Sequence, residues 1–375
     1  MSAYEDEFFE GKRPWSVIKD RVLSSYMSPY LAKVKSLKKQ ILLIDGFAGP
    51  GVFEKGEPGS PLIMCQAAEK YAKGNYRAFF FNNKPDFHEK LTSILDKQGW
   101  LGAATPIFGD TTKLLPQIPN LLRDQTVFLY LDPFGPTGCP YSLIDPFLTR
   151  NNSYSTEIVI MMHMPIAHRL AARNAVAEGR ADEPLIQRYH QTMNEIFGGD
   201  YWKPIMFAAD RSAEEREFQL IDAYRAKLSA HLPYTGYCPV REGENKRIKY
   251  FIVFASRHPH AMLLMHDAML KAYFERMHED AYAGTLFASN SWSDMLSTDG
   301  LRETIVAEVN RRPAINREDL WLKIVQNHFM RYRRSDFLET VQALVDAKII
   351  DCPTPRRTKR LNKDCTLYPG LVTVT

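Results

Sequence analysis

The stretch Ile41-Leu42-Leu43-Ile44-Asp45-Gly46-Phe47-Ala48-Gly49-Pro50-Gly51 decides the fold of this 375-residue chain. Its four aliphatic residues are typical of a strand that is buried on both faces, and Asp45 ends that strand. Open α/β sheets bind ligands at the carboxyl ends of their strands, where Asp45 is expected to lie. Gly49 and Gly51 carry no Cβ atom, so the turn that follows can approach a ligand closely. The stretch therefore predicts a parallel sheet with a ligand-binding loop after one strand.

The spacing of the glycines argues against two common phosphate-binding loops. A dinucleotide fingerprint needs a third glycine where this chain has Glu54, and a P-loop ends in Gly-Lys-Ser/Thr, which this loop lacks. The pattern Asp45-x-Phe47-x-Gly49-x-Gly51 resembles the first motif of class I S-adenosylmethionine (SAM)-dependent methyltransferases, in the Phe-x-Gly-x-Gly variant of nucleic-acid methyltransferases. A strand-turn-helix whose glycines serve only the turn is the alternative.

Length and composition indicate a globular protein. The chain is 45% hydrophobic and 25% charged, and its length predicts two domains. No run approaches eighteen apolar residues and the first residues are acidic, so we expect a cytoplasmic protein that does not contact a membrane. Five widely spaced cysteines without a Cys-x-x-Cys pair predict neither a disulfide framework nor a metal site. A net charge of +4 does not by itself indicate a nucleic-acid partner.

Apolar strands alternate with helices in the first part of the chain. Five such strands are typical of a parallel sheet. A helix is predicted before the first strand, and another is predicted to begin with Ser60 as its N-cap and Pro61 as its first residue. The strands are predicted at residues 41–44, 78–81, 106–108, 127–131 and 157–162.

The next part of the chain predicts an insertion and a hairpin. Residues 166–232 have a helical pattern and are interpreted as an insertion that covers the edge of the sheet or the substrate. Residues 237–241 and 248–255 flank a polar turn and predict an antiparallel hairpin, which resembles the one that closes a class I methyltransferase sheet. We place a Rossmann-like methyltransferase domain at residues 1–280 and a second domain at 299–375.

The second domain is predicted to be a winged helix-turn-helix. Three helices are followed by two short strands that bracket a polar excursion. Residues 326–375 contain nine Lys/Arg against five Asp/Glu. A basic tip of this kind can follow phosphates, while a solvated hairpin or a protein-docking module is the alternative. The candidate nucleic-acid-binding residues are Arg331, Arg333, Arg334, Arg356, Arg357, Lys359 and Arg360.

A second motif, Asp132-Pro133-Phe134-Gly135, follows the predicted strand at 127–131 and is expected beside the glycine loop. Methyl transfer to an exocyclic amine needs a hydrogen-bond acceptor for the amine and a flat surface for the base. Asp132 with the carbonyl of Pro133 supplies the acceptor, and Phe134 supplies the surface. The motif resembles Asp-Pro-Pro-Tyr of amino-methylating DNA enzymes, and still more Asp-Pro-Phe-Gly of tRNA guanine-N2 dimethyltransferases. A Pro-Gly turn whose Asp caps the next helix is the alternative.

Together these motifs and the predicted winged helix resemble the three-Cys-motif partner family of bacteria and phages over most of the chain. The resemblance implies a class I methyltransferase-like fold and a partner, a three-Cys-motif protein encoded nearby. It implies SAM as the cofactor, bound by Asp45, Phe47, Gly49 and Gly51. It places the reaction site at Asp132, Pro133 and Phe134.

Two further polar residues follow predicted strands. Class I methyltransferases usually have Asp or Glu after the second strand to bind the ribose hydroxyls, whereas this chain has Asn82, which hydrogen-bonds without a charge. Asp110 matches the place where methyltransferases contact the adenine amine, and a helix N-cap is an equal alternative. Lys19, on the N-terminal helix, is a neighbour of the site without independent support, and His163 receives no role.

The leading hypothesis is a SAM-dependent N-methyltransferase that acts on a base of DNA or RNA. Its main rival is a binding protein with a degenerate cofactor pocket that works with a partner encoded nearby, which the neutral Asn82 favours. Methylation of a protein or a small molecule is the third reading. The sequence does not distinguish DNA from RNA, or one base from another.

Overall fold

A computed structural model describes residues 14–53, 55–133, 138–151, 155–241, 246–282, 298–353 and 361–370. The chain divides into two compact units, Met1–Ala272 and Tyr273–Thr375. No helix among the described residues is both long enough and apolar enough to span a membrane. The five cysteines are free, and four of them are buried.

The first unit is built on a seven-stranded sheet with the order β3-β2-β1-β4-β5-β7-β6. The strands from β3 to β5 are parallel, and β7 runs antiparallel to both β5 and β6. This arrangement confirms the predicted Rossmann-like sheet and its terminal hairpin. The strands are β1 (Ile41–Asp45), β2 (Tyr76–Asn82), β3 (Ala104–Phe108), β4 (Thr126–Leu131), β5 (Thr156–His163), β6 (Tyr234–Arg241) and β7 (Ile248–Ser256).

The strand β1 lies inside the sheet, between β2 and β4, and all five of its residues are buried. Asp45 is in register with Phe80 on one side and Tyr130 on the other. Because the three strands are parallel, their carboxyl ends meet at one edge, and the segments that follow them converge there. This edge brings the glycine loop, Asn82 and Asp132 into one region.

Helices cover both faces of the sheet. Tyr26 and Tyr30 of α1 lie against Phe128 of β4, with ring centroids 5.8 and 5.4 Å apart. The helices before the hairpin are α1 (Pro14–Val34), α2 (Ser60–Tyr71), α3 (Pro85–Lys97), α4 (Thr111–Leu114), α5 (Ile118–Leu121), α6 (Asp145–Leu148), α7 (Met164–Ala171), α8 (Arg173–Ala177), α9 (Pro184–Phe197), α10 (Trp202–Met206) and α11 (Ala213–Ser229). The helix α12 (Pro259–Tyr282) follows the hairpin.

The start of α2 differs from the expectation for Ser60. The structure places Gly59 at the N-cap, without a side-chain cap, so Ser60 is the first helical residue and Pro61 the second. The hydroxyl of Ser60 instead donates to a carboxylate oxygen of Asp45, at 2.6 Å. The prediction that Ser60 caps the helix was therefore wrong, because Ser60 is already inside the helix and its hydroxyl donates to Asp45 instead of accepting a helix amide.

The second unit consists of helices and a small antiparallel sheet with the order β8-β10-β9. Asn316 caps one helix by accepting a hydrogen bond from the amide of Glu318, at 2.8 Å. Trp321 and Phe337 pack in its core, with ring centroids 5.0 Å apart. Its elements are α13 (Leu301–Arg311), β8 (Ile315–Asn316), α14 (Arg317–Asn327), α15 (Arg334–Asp346), β9 (Ile350–Asp351) and β10 (Thr366–Pro369).

Candidate functional site

The site is organised around Asp45, whose side chain is fully buried at the end of β1. One carboxylate oxygen accepts the amide of Phe47 at 3.0 Å, and the other accepts the hydroxyl of Ser60 at 2.6 Å. Burial raises the pKa of Asp45 to about 7, even though these two hydrogen bonds act to lower it. The sheet positions Asp45 at the end of β1. Its carboxylate thus connects the start of the glycine loop to the start of α2 through these two hydrogen bonds.

The glycine loop is held from two sides. Asn82, at the end of β2, donates its side-chain amide to the carbonyl of Gly49 at 3.3 Å. The carbonyl of Gly51 accepts the amide of Gly59 at 2.8 Å. Gly51 has φ of +86°, and a Cβ atom there would lie 2.9 Å from Leu91, so the turn requires glycine.

An open cleft lies between the glycine loop, α1 and the end of β4. The glycine loop and the start of α2 form one wall. The first helix contributes Lys19 and Asp20, and β4 with the residue after it contributes Tyr130 and Asp132. The lining residues are Lys19, Asp20, Phe47, Gly49, Pro50, Gly51, Val52, Phe53, Gly59, Ser60, Pro61, Tyr130 and Asp132.

Asp132 forms a buried ion pair with Lys19 inside this cleft. The two side chains are only 10% and 12% exposed. Burial acts to lower the pKa of Lys19, but the neighbouring carboxylates of Asp132 and Asp20 outweigh it and raise the pKa, so the lysine is charged. The side of the cleft formed by α1 and the end of β4 therefore carries one ammonium group, Lys19, and two carboxyl groups, Asp20 and Asp132.

His163 ends β5 next to this ion pair. Burial lowers the pKa of His163 to about 4, against the opposing effect of Asp132, so the imidazole is neutral at pH 7. Its Nε2 atom is buried and has no hydrogen-bond partner among the described residues. Its ring lies 5.4 Å from that of Tyr250. His163 also lines a second, largely apolar pocket with Cys139 and Met193.

The structure brings most of the predicted site residues of the first unit together. Phe47, Gly49, Gly51 and Asp132 line the cleft, with Asp45 bound to its wall through Ser60. Pro133 is buried directly after Asp132, and Phe134 lies outside the described residues.

Asn82 and Asp110 have clear structural roles. Asn82 is buried and supports Gly49. Asp110 is half-exposed after β3 and caps α4, accepting from the amide and the hydroxyl of Thr112 at 2.9 and 2.7 Å. These hydrogen bonds, led by the one from the Thr112 hydroxyl, lower the pKa of Asp110. The N-cap alternative for Asp110 is therefore what the structure shows.

Sequence reasoning assigned no role to Tyr130 or Asp20 and found no support for Lys19. A signal for Lys19 does exist in the sequence. Val22, Leu23 and Tyr26 follow it at helical spacing and are buried, so a lysine stands on the apolar stripe of α1. A charged residue in that position needs a buried partner, which Asp132 provides.

The candidate basic residues of the second unit differ in their surroundings. Arg334 pairs with Glu318, and its guanidinium lies 5.4 Å from the ring of Trp321. Arg333 is half-exposed and bonds Asp336 at 3.0 Å, while Arg331 is exposed. Arg334 therefore contributes to folding of the unit, whereas Arg331 and Arg333 are accessible to a ligand. Arg356, Arg357, Lys359 and Arg360 lie outside the described residues.

Comparisons with known proteins give only distant likenesses. No protein-family model matches the chain, and no curated protein matches it in sequence. It is similar to a methyltransferase from Geobacter sulfurreducens, with 13% identity over 35% of this chain and 58% of that chain, and a TM-score of 0.24. It is also similar to a SAM-dependent O-methyltransferase from Thermotoga maritima, with 15% identity over 61% and 64% of the two chains, and a TM-score of 0.26.

A third likeness is to a geranyl diphosphate methyltransferase solved with its substrate and sinefungin, with 12% identity over 58% of this chain and 72% of that chain, and a TM-score of 0.27. The chain thus spans less than two thirds of the Geobacter and Thermotoga proteins. Likenesses this distant identify neither an activity nor a substrate.

Proposed function

We propose that this protein is a SAM-dependent N-methyltransferase that acts on a base of DNA or RNA. The observation that carries the proposal is that the glycine loop and Asp132, 81 positions beyond Gly51 in the sequence, line one cleft at the carboxyl edge of the sheet. Open α/β sheets place ligands at this edge. The cleft thus combines a glycine loop that a cofactor can approach closely with a carboxylate that can accept a hydrogen bond from an amine.

The charges in the cleft fit SAM. SAM carries one carboxylate, one ammonium group and one sulfonium, and the cleft offers Lys19 against Asp20 and Asp132. Lys19 can pair with the cofactor's carboxylate and Asp20 with its ammonium group, which leaves Asp132 for the acceptor amine. The hydroxyl of Tyr130 is buried in the same wall and has no hydrogen-bond partner among the described residues, so it is available to a ligand.

The chain's own groups then perform separate tasks. Asp45 and Asn82 hold the glycine loop in the shape that receives the cofactor. SAM supplies an electrophilic methyl group when bound. An oxygen of the Asp132 carboxylate accepts a hydrogen bond from the acceptor's exocyclic amine, which orients the nitrogen lone pair, and it takes the proton that the amine loses. Phe134 would supply the flat surface against the base.

The second unit supports the choice of a nucleic-acid acceptor. We propose that residues 299–375 form a winged helix and residues 1–280 a methyltransferase domain, because the second unit has the order α13-β8-α14-α15-β9-β10 and its three strands form one antiparallel sheet. Arg331 and Arg333, with the basic segment at 356–360, would neutralise phosphates. A three-Cys-motif protein encoded nearby is the proposed protein partner.

The direct test is transfer of labelled methyl groups from SAM to total RNA and to genomic DNA. We expect a labelled product that nuclease digestion removes, and we expect Asp132→Ala to lose most of the transfer while it still binds the cofactor. Asp124 forms an exposed ion pair with Lys39, and Asp124→Ala is the matched control, which should retain full activity. Unchanged transfer in Asp132→Ala would remove Asp132 from the mechanism.

A second candidate function is a binding protein with a degenerate cofactor pocket. The amide of Asn82 is engaged with Gly49, and no acidic side chain stands at that strand end for the ribose hydroxyls. Calorimetry with S-adenosylhomocysteine separates the two candidates. Binding in the micromolar range is expected of the enzyme, and its absence would favour the degenerate pocket.

A further inference from the structure

The Lys19–Asp132 pair has a consequence for the order of events in the cleft, and this inference rests on the proposed function. Both side chains line the cleft, and each is needed there by a different ligand. Lys19 is the cation available to the cofactor's carboxylate, and Asp132 is the acceptor for the amine. In the structure the two groups are paired with each other.

The described residues lining the cleft include no cationic side chain other than Lys19. A carboxylate that enters a partly buried site without a compensating partner loses more hydration energy than it recovers, and this ammonium group is the charged partner that the described lining offers. The cofactor's carboxylate therefore competes with Asp132 for Lys19, while Asp20 also lies near the ammonium group. When the ammonium group turns to the cofactor's carboxylate, its attraction to Asp132 weakens.

We propose that Lys19 is an exchangeable counter-ion, which pairs with Asp132 until the cofactor binds and then turns to the cofactor's carboxylate, releasing Asp132 for the acceptor amine. Lys19 is thus a positioning residue that acts through Asp132. Binding becomes ordered, because Asp132 accepts the amine only after the cofactor has engaged the ammonium group. A lysine suits this role, since its flexible stem lets one charge reach two partners.

The exchange predicts that one substitution in the cleft strengthens ligand binding instead of weakening it. If Asp132 competes with the cofactor for Lys19, Asp132→Asn must strengthen the binding of a ligand that carries the carboxylate. It must leave the binding of the same ligand without the carboxylate unchanged. If the pair has only a structural role, Asp132→Asn should damage the cleft and weaken the binding of both ligands.

The experiment measures the affinity of S-adenosylhomocysteine and of decarboxylated S-adenosylhomocysteine by calorimetry. The two probes differ only in the carboxylate. We expect Lys19→Met to weaken the first by about tenfold or more, the size of a hydrogen bond to a charged group, without affecting the second. We expect Asp132→Asn to strengthen the first several-fold and to leave the second unchanged. The exposed pair supplies matched controls, Lys39→Met and Asp124→Asn, which should change neither affinity.

Failures of the two proposals can be told apart. If the unaltered protein binds neither probe, the proposed function is wrong, and this inference falls with it. If it binds both, and Asp132→Asn weakens or does not change the affinity for S-adenosylhomocysteine, the exchange alone is wrong. The affinity of Asp132→Asn tests the exchange by itself, even if Lys19→Met does not fold.

Discussion

The ammonium group of Lys19 on α1 and the carboxylate of Asp132 after β4 are paired across 113 positions of sequence. The pair joins a helix that precedes the sheet to the end of a central strand. Because both groups lie in the wall of the candidate site, folding of α1 and the electrostatics of the cleft depend on one another. Unfolding and ligand-binding measurements on the same variants separate the two effects.

Removal of Lys19 is expected to destabilise the fold. Lys19→Met leaves Asp132 buried without its cation, which typically costs about 3–5 kcal/mol. The control Lys39→Met breaks a pair whose side chains are 47% and 45% exposed, and should cost no more than about 1 kcal/mol. The free energy of unfolding in urea measures both. Equal losses for the two variants would show that the buried pair contributes nothing beyond an exposed one.

Asp45 should make the stability depend on pH between about 4 and 7. An unfolded Asp has a pKa of about 3.9, and burial raises the pKa of Asp45 to about 7 in the folded protein. Between these values the folded state holds a proton that the unfolded state has released, so stability falls as pH rises. We expect Asp45→Asn to remove this part of the slope in urea unfolding measured at pH 5, 6 and 7. An unchanged slope would show that Asp45 is ionised throughout.

Glu157 should extend the same dependence to higher pH. It is buried at the start of β5 and accepts a hydrogen bond from the hydroxyl of Tyr26. Burial raises the pKa of Glu157 to about 8, so stability is lost as pH rises from about 4 to 8. Glu157→Gln keeps an acceptor for Tyr26 and should therefore be more stable than the unaltered protein at pH 9. Lower stability of this variant at pH 9 would contradict the assignment.

The sequence predicts the sheet well because its signals are local. The aliphatic run before Asp45 and the matching runs in β2 and β4 each show a buried strand directly, and their shared edge follows from parallel pairing. The role of Ser60 was not predictable, since Asp45, which accepts its hydroxyl, lies fifteen positions away. Serine prefers the N-cap position, but here the helix begins one residue earlier and Gly59 takes that position.

The contact between Lys19 and Asp132 could not be predicted from the sequence either, because the two residues are 113 positions apart. A lysine on an apolar stripe shows that a partner exists, yet nothing local identifies which carboxylate meets it. Asp110 is the reverse case, because its N-cap role depends only on the next two residues and the sequence offered it as an alternative. Interactions between residues within one turn can be predicted from the sequence, whereas contacts between residues far apart in the sequence are known only from the three-dimensional structure.

Gly51 should be irreplaceable in the loop for two separable reasons. A left-handed backbone costs a non-glycine residue about 1–2 kcal/mol, which Gly56→Ala, at φ of +80° in open space, measures alone. Gly51→Ala adds a Cβ atom 2.9 Å from Leu91 and 3.0 Å from Leu62, so it should cost more in urea unfolding. It should also weaken S-adenosylhomocysteine binding, which Gly56→Ala should spare. Equal costs would mean that the two leucines yield freely.

The basic segment of the second unit provides the test of the acceptor class. Each phosphate contact that is lost should lower the slope of log affinity against log salt by about 0.9 for duplex DNA, or about 0.7 for single strands. Neutralising the segment should thus abolish methyl transfer to nucleic acid at physiological salt, while S-adenosylhomocysteine binding stays intact. The variant combines Arg356→Gln, Arg357→Gln, Lys359→Gln and Arg360→Gln.

The control for charge alone must remove four positive charges elsewhere. Four exposed lysines of the first unit serve this purpose, and their loss should leave the salt slope nearly unchanged, because net charge acts weakly beyond a Debye length of about 8 Å. If the segment variant instead retains full transfer and an unchanged slope, the acceptor is a protein or a small molecule, and the second unit serves protein docking. The control lysines are Lys35, Lys70, Lys73 and Lys97.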